Sequence, residues 1–242
     1  MTSTPTTLTL FSGLALKDVL EDAVLPAYAA GGGHQIDTVY EPTSALVGRI
    51  REGQVPDLII GVADSLHELA TEGILDGDRL APLVRSGLGV ATLPGAPVPA
   101  LRSVEEFVVT LRSARSVAYS RGGASGIYFA GLLERLGIAD DVNSRATIVP
   151  GGFTGEALLD GRADLAVQQV IELRSVPGVR IAGTFPPDMQ HYIDLWLGRA
   201  AAPAAPAAVA TLQDFLTSAV ALEAYTAAGL EVSDRADGAD RR

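Results

Sequence analysis

Short apolar runs alternate along this chain with stretches whose apolar residues recur every three to four positions. Thr7–Ser12 (TLTLFS) reads as a strand, and Gly13–Tyr28 as an amphipathic helix. In that helix Leu16, Val19, Leu20 and Val24 share one face, and Asp18, Glu21 and Asp22 lie off it. Three glycines, Gly31 to Gly33, make a turn; His34–Glu41 is a second strand and Ser44–Glu52 a second helix. Asp57–Gly61 (DLIIG) is a continuous apolar run of the kind that suits a parallel strand buried on both faces, and Ser65–Thr71 is helical. A strand feeding a helix, repeated in this way, predicts an open α/β sheet.

The second half keeps the rhythm. Gly87–Leu93 predicts a strand, followed by the proline-rich loop PGAPVPA, a helix over Val104–Arg112 and a strand at Ser116–Tyr119. Ser125–Leu136 predicts a helix that stops at Gly137, a C-terminal cap signal. Thr147–Val149, Leu165–Gln168, Arg180–Gly183 and Tyr192–Leu197 read as strands, and Gly155–Asp160 as a helix. The low-complexity AAAPAAPAAVA leads into a last helix, Val209–Ala227, and a polar tail from Val232 is expected to fray. Strands near 85–90 and 183–192 look like crossovers. The expected organisation is therefore two lobes: residues 1–86 with 186–242, and an inserted lobe of residues 87–185.

Composition narrows the chemistry. With 242 residues and 48% hydrophobic content, the chain can bury a substantial core. Eighteen basic against 29 acidic residues give a net charge of −11, which disfavours nucleic acid and anionic lipid as partners. Lys17 is the only lysine, and a helix salt bridge is its expected role. There is no cysteine, so disulfides and thiolate chemistry are excluded. The three histidines, His34, His67 and His191, have no metal-ligand spacing, and no metal or cofactor is expected. No apolar run reaches the ~18 residues of a membrane span. The first residues lack the basic and apolar regions of a secretory signal, so a cytoplasmic location is expected if Met1 is the true start.

Candidate chemistry gathers at strand-to-helix junctions. Ser12-Gly13, Pro42-Thr43-Ser44, the run from Ser120 to Gly126, and the run from Pro150 to Gly155 each place small hydroxyl or glycine residues at a helix start. Unpaired backbone N–H groups and the helix dipole favour an anion there, beyond the carboxyl ends of the strands. Taken singly, each hydroxyl is as well explained as an ordinary N-cap. RGGASG has neither the GxGxxG spacing of a dinucleotide fold nor the GK[ST] ending of a P-loop, and there is no GxSxG elbow.

The segments LFSGLALKDVLEDAVLPAY, YEPTSALVGRIREGQVPDLIIGVADSLHELATEG, SGLGVATLPGAP, SGIYFAGLLERLGI and GEALLDGRADLAVQQ, in that order, resemble the periplasmic molybdate-binding protein family. The resemblance spreads over roughly residues 7–232. It implies a type-2 periplasmic-binding-protein fold, two α/β lobes with the ligand in the cleft between them. It also implies anion contacts from Ser12 and from Thr43 or Ser44 in lobe one, and from Ser125 and the Phe153-Thr154 backbone in lobe two. Two departures matter. Gln168-Gln169 stand where the molybdate binders place a tyrosine, and Arg121 adds a cation that a tetrahedral oxyanion site does not need. Because arginine pairs bidentately with planar carboxylates, Arg121 and Gln168 point to a small organic carboxylate as ligand. Otherwise Arg121 is a solvated loop arginine.

Some proteins resembling this family are isomerases, aconitate isomerase among them. Moving a double bond in a polycarboxylate requires anion holes that stabilise an enolate-like intermediate, together with one base near the reacting carbon. Three residues are candidate bases: Glu41 after the second strand, His191 by the second crossover, and Tyr128 at the start of a helix. Each has a plainer reading, as a solvated carboxylate, a structural histidine and a core aromatic respectively. The expectation is a cytoplasmic, cofactor-independent isomerase of a di- or tricarboxylate. The alternative is a non-catalytic receptor or sensor for molybdate or another small anion.

Overall fold

The computed structural model describes residues 7–233, so the tail from residue 234 onward lies outside the described residues. Along the chain run β1 (Thr7–Ser12), the helical stretch 14–30 containing α1 (Lys17–Val19) and α2 (Leu25–Ala30), β2 (Gln35–Tyr40), α3 (Thr43–Arg51), β3 (Leu58–Val62) and α4 (Ala63–Thr71). Then come β4 (Ala81–Thr92), α5 (Val104–Ser113), β5 (Val117–Tyr119), α6 (Ala124–Arg135), α7 (Ala139–Asn143), β6 (Thr147–Ile148) and α8 (Glu156–Leu159). The chain ends with β7 (Leu165–Gln169), α9 (Val170–Arg174), β8 (Arg180–Thr184), β9 (Tyr192–Arg199), α10 (Pro206–Leu216), α11 (Ala219–Ala228) and β10 (Glu231–Val232). No helix among the described residues is long and apolar enough to cross a membrane.

The chain divides into two compact units. Unit one holds residues up to Arg85 and from Asp194 onward, and unit two holds Ser86–Ile193. The first division falls one residue before the one expected from the sequence. The second falls inside β9, eight residues after the expected 185, because the 3-10 turn Pro187–Met189 and the strand start that follows still pack within unit two.

In unit one, β1 pairs in parallel with β2 and β3, and β3 pairs antiparallel with β9. β10 lies antiparallel on the first part of β4. The register sets Ser12 opposite both Tyr40 and Ile60, so the carboxyl ends of β1, β2 and β3 lie together. Asp57 locks the entry of β3, its carboxylate accepting from the Thr9 N–H at 2.8 Å and the Thr9 hydroxyl at 3.1 Å. The apolar face of α3 (Leu46, Val47, Ile50) and that of α4 (Leu66, Leu69) close over Phe11 and Ile59. Burying such side chains stabilises the unit by roughly 1.5–3 kcal/mol each.

The first helix is less regular than its periodicity predicts. It opens with a 3-10 turn and widens into a π-helical stretch at Leu20–Val24. Pro26 follows within the same run; it has no N–H for the carbonyl four residues back, and the wider turn before it accommodates the loss. The single helix expected at Val209–Ala227 is two. α10 starts at Pro206 and ends at Leu216, and Ser218 caps α11, its hydroxyl accepting from the Ala221 N–H at 3.4 Å.

In unit two the strand order is β8-β4-β7-β5-β6. β5 is parallel to β6 and β7, and β4 is antiparallel to β7 and β8. Its core is rich in small residues, with Ala91, Ala118, Ala157, Ala163 and Ala166 around Leu158 and Leu173. Small side chains let helices approach the sheet closely. At Gly89 of β4 a Cβ would stand 2.8 Å from a methyl of Val170, so α9 packs directly on the strand. Neither α7 nor α9 is evident from periodicity, since each spans only five residues.

Candidate functional site

Unit one brings four of the sequence candidates, Ser12, Glu41, Thr43 and Ser44, to the ends of β1 and β2. Ser12 is fully buried and its hydroxyl donates to the Gly13 carbonyl at 3.1 Å. The Gly13 N–H donates to the Ile60 carbonyl at 2.9 Å, and the Glu41 N–H to the Ser12 carbonyl at 3.2 Å, which ties the three strand ends together. Thr43 opens α3 and is buried, and its hydroxyl oxygen accepts from the Val62 N–H at 3.2 Å. That bond leaves the Thr43 hydroxyl hydrogen as a donor. Gly61 makes room for Thr43: a Cβ there would lie 3.0 Å from the threonine methyl. Ser44, the next residue, is exposed.

Glu41 reaches the same strand end but its carboxylate is occupied. Arg49, eight residues on in α3, grips it with two hydrogen bonds, one of them at 2.9 Å from Nε. The guanidinium holds the Glu41 carboxyl below the usual carboxylate range. A carboxylate so stabilised is a weak base, and the structure makes Glu41 an ion-pair partner.

Unit two builds its counterpart at the carboxyl ends of β5, β6 and β7. After β5 the buried Ser120 hydroxyl accepts from the N–H groups of Gly122 at 3.3 Å and Gly123 at 3.4 Å, shaping the loop that leads into α6. Gly126 is required there, because a Cβ would fall 1.4 Å from the Ser120 carbonyl oxygen. Ser125 is buried in the first turn of α6. Arg121 is exposed at the tip of the loop, and among the described residues no carboxylate pairs with it. A free guanidinium beside the N-terminus of a 12-residue helix is an anion-attracting arrangement.

Thr154 and Gln168 are both buried, and they bond chiefly to one another. The Gln168 side-chain carbonyl accepts from the Thr154 N–H at 2.8 Å and the Thr154 hydroxyl at 3.0 Å, while its amide donates to the Gly152 carbonyl at 3.2 Å. Gln168 is thus a clamp for the loop 152–154, and the Thr154 N–H expected to meet a ligand is already taken. Phe153 is half-buried in that loop. Its carbonyl accepts from the Glu156 N–H at 3.2 Å.

Tyr128 and His191 stand together, their rings stacked at 4.3 Å with 6° between planes. The Tyr128 hydroxyl donates to the Met189 carbonyl at 2.9 Å, and the Arg135 guanidinium lies 5.2 Å from the ring centroid. A phenol bonded to a backbone carbonyl is a structural tie, so the position of Tyr128 fits packing better than proton abstraction. The His191 carbonyl accepts from the Leu88 N–H at 3.2 Å, which fixes the histidine backbone against β4.

One residue beside this site escaped the sequence reading. Glu172 is the only buried acidic side chain among the described residues, and Gln169, half of the Gln168-Gln169 departure, is buried with it. Gln169 caps α9 while the Glu172 carboxylate reaches back to the Gln169 N–H at 3.3 Å. Burial pushes the Glu172 carboxyl up to about 7, against the opposing pull of the Gln169 and Gln168 groups around it. The signal in the sequence was a capping-box spacing, Gln169 followed three residues later by Glu172. A separate cavity of about 510 Å³ lies at the amino end of β7, lined by Thr92, Pro97, Thr110 and Leu165 among others, away from these strand-end loops.

Comparison with known proteins places this arrangement among relatives. A family model described as bacterial extracellular solute-binding protein matches residues 8–231. Aconitate isomerase of a Pseudomonas species is 30% identical over 233 residues, covering 93% of this chain and 88% of the isomerase. The periplasmic molybdate-binding protein of Azotobacter vinelandii superposes with a TM-score of 0.79 at 16% identity, over 94% of this chain and 100% of that one. The sulfate-binding protein SubI of Mycobacterium tuberculosis gives 0.75 at 20% identity, over 97% and 90%. The fold is that of the type-2 periplasmic binding proteins.

Proposed function

Because the chain belongs to the bacterial extracellular solute-binding protein family, we propose that it takes a small di- or tricarboxylate and shifts its double bond by allylic proton transfer, as an aconitate isomerase would. The observation that carries this is the likeness to aconitate isomerase along nearly the whole chain, 93% of its length. The free guanidinium of Arg121 supports it, since a planar carboxylate accepts two parallel N–H bonds from arginine. In such a reaction a base removes a proton from the methylene carbon next to the double bond. The electron pair spreads into the conjugated carboxylate, and a proton returns at the far end of the allyl system. Hydroxyl and N–H donors at strand ends, such as those in the first turn of α6, would hold a carboxylate and stabilise the delocalised charge.

A second reading is favoured by a specific observation. The buried polar side chains at the unit-one strand ends, Ser12 and Thr43, are neutral hydroxyls, and solved proteins of the same fold are named for binding molybdate and sulfate. On that reading the chain binds a small anion without converting it.

Proton NMR of the purified protein in D₂O with cis- or trans-aconitate separates the two. Interconversion, with deuterium entering the methylene, is the expected result. No turnover, combined with a large thermal stabilisation by molybdate or sulfate, would replace the isomerase with a receptor.

A further inference from the structure

Glu172 stands where a carboxylate has no electrostatic reason to be. Among the described residues, none of the elements packed against it brings a compensating charge. β7 has no ionisable side chain, nor does β4 from Ser86 onward. The one ionisable residue of β8, Arg180, directs its guanidinium to the Thr92 hydroxyl at 3.1 Å and the Ala96 carbonyl at 2.7 Å. Arg174, on the same helix, is exposed. What surrounds Glu172 is a set of neutral polar groups: the Gln169 N–H, the Gln168 and Gln169 carboxamides, and Ser86, whose hydroxyl oxygen lies 3.5 Å from the Ile171 N–H.

The inventory around Gln168 is nearly complete. Its carbonyl oxygen carries two hydrogen bonds from Thr154, and one amide hydrogen goes to the Gly152 carbonyl. The other amide hydrogen is the one available to the Glu172 carboxyl. Gln168 therefore links a buried acid to the loop 152–154. Gln169 adds a further feature, because its side-chain oxygen is buried without a well-formed hydrogen bond. A protonated Glu172 is a hydrogen-bond donor in reach of that neighbourhood, and an ionised one is an unpaired buried charge.

Resting on the anion-binding reading above, we infer that Glu172 is a positioning residue for the unit-two site, acting through Gln168 on the loop 152–154, and that a bound dianion is accompanied by one proton taken up on Glu172. The physical reason is that a dianion held at the unit-two loops repels an ionised, buried Glu172, and the carboxyl yields by protonating. Since the free carboxyl titrates near 7, uptake belongs to the neutral and mildly alkaline range. Affinity is then level below about pH 6 and weakens by up to about tenfold per pH unit above pH 7.

The test is isothermal titration calorimetry of the whole chain with trans-aconitate and with sulfate from pH 5.5 to 8.5, in buffers of different ionisation enthalpy. Sulfate keeps its charge across that range, so any proton taken up comes to the protein. About one proton per bound anion above pH 7, together with the affinity loss, is the expected outcome. Glu172→Gln should abolish both, leaving an affinity that no longer depends on pH. Glu172→Asp should keep the pH dependence with weaker binding overall. Binding without proton uptake in the unaltered protein overturns the inference and leaves the anion-binding reading intact; this arm does not need a variant to fold. A Glu172→Gln protein that loses affinity equally at every pH also overturns it, because that is the mark of a purely structural role. Binding of neither probe overturns the anion-binding reading and this inference with it.

Discussion

Compare the strand-end loops of the two units. In unit one, Thr43 and Ser12 are buried neutral hydroxyls, and the adjacent charges, Glu41 and Arg49, neutralise each other. In unit two, Arg121 is an exposed cation with no carboxylate partner among the described residues, and Glu172 is a buried acid with no cation partner. Both regions use the same backbone device, parallel strands whose carboxyl ends lead into helices. They differ in where they keep charge. Dipoles and hydroxyls hold an anion of any shape, whereas a free guanidinium favours a planar one. On the proposed carboxylate reading, discrimination against a tetrahedral oxyanion would come from unit two.

The comparison breaks most sharply at the glycines that shape each region. Gly126→Ala would drive a methyl into the Ser120 carbonyl, a backbone atom that cannot move aside, at 1.4 Å. A loss of about 3 kcal/mol or more in urea unfolding is expected. Gly61→Ala in unit one meets only the side chains of Leu66 at 2.9 Å and Thr43 at 3.0 Å. These can adjust, and about 1 kcal/mol is expected. Equal losses at the two sites would mean that the α6 start is looser than the structure has it.

Next in size is the pH dependence of stability. The folded-state carboxyl of Glu172 is raised from 4.5 to about 7, so the folded protein holds more protons than the unfolded chain. Its contribution is complete below pH 4.5 and is lost as pH rises through about 7. The stability difference between Glu172→Gln and the unaltered protein should accordingly shift by about 3 kcal/mol in favour of the variant between pH 5 and pH 8. Unfolding midpoints at the two pH values check the sign as well as the size. Unit one has no buried acid among its described residues, so this window belongs to unit two.

The smallest effect concerns binding. Arg121→Ala should weaken trans-aconitate binding about tenfold, roughly one charge-assisted bond, while sulfate is less affected. Arg49→Ala, which removes an arginine already engaged by Glu41, should change either affinity by less than about threefold. Calorimetry at low salt reads both, and an Arg121→Ala protein with unchanged trans-aconitate affinity would return that residue to the solvated loop.

Much of the fold was legible because the signals were local. Continuous apolar runs such as DLIIG, and helices such as α3 and α6 with apolar residues every three to four positions, depend on few neighbours. The two compact units divide after Arg85 and after Ile193, one and eight residues from the bounds expected from the sequence. Legibility failed where a short element is held by tertiary contact: α9, five residues long, persists because Gly89 lets it sit on β4. It failed again at α10 and α11, where an alanine-rich run reads as one helix but Ser218 starts a new one.

At the site, the sequence determined which residue types meet strand ends, because a hydroxyl or glycine after a strand is a matter of chain order. Composition also determined that thiol chemistry is absent. Only the tertiary structure decided what each side chain is free to do. It assigned Glu41 to Arg49, the Tyr128 hydroxyl to the Met189 carbonyl, and Gln168 to Thr154, and it buried Glu172 away from any counter-charge. Spacing along a chain fixes neighbours in sequence. A proton's affinity and a donor's availability depend on solvent exposure and on partners brought in from other strands, and these exist only once the chain has packed.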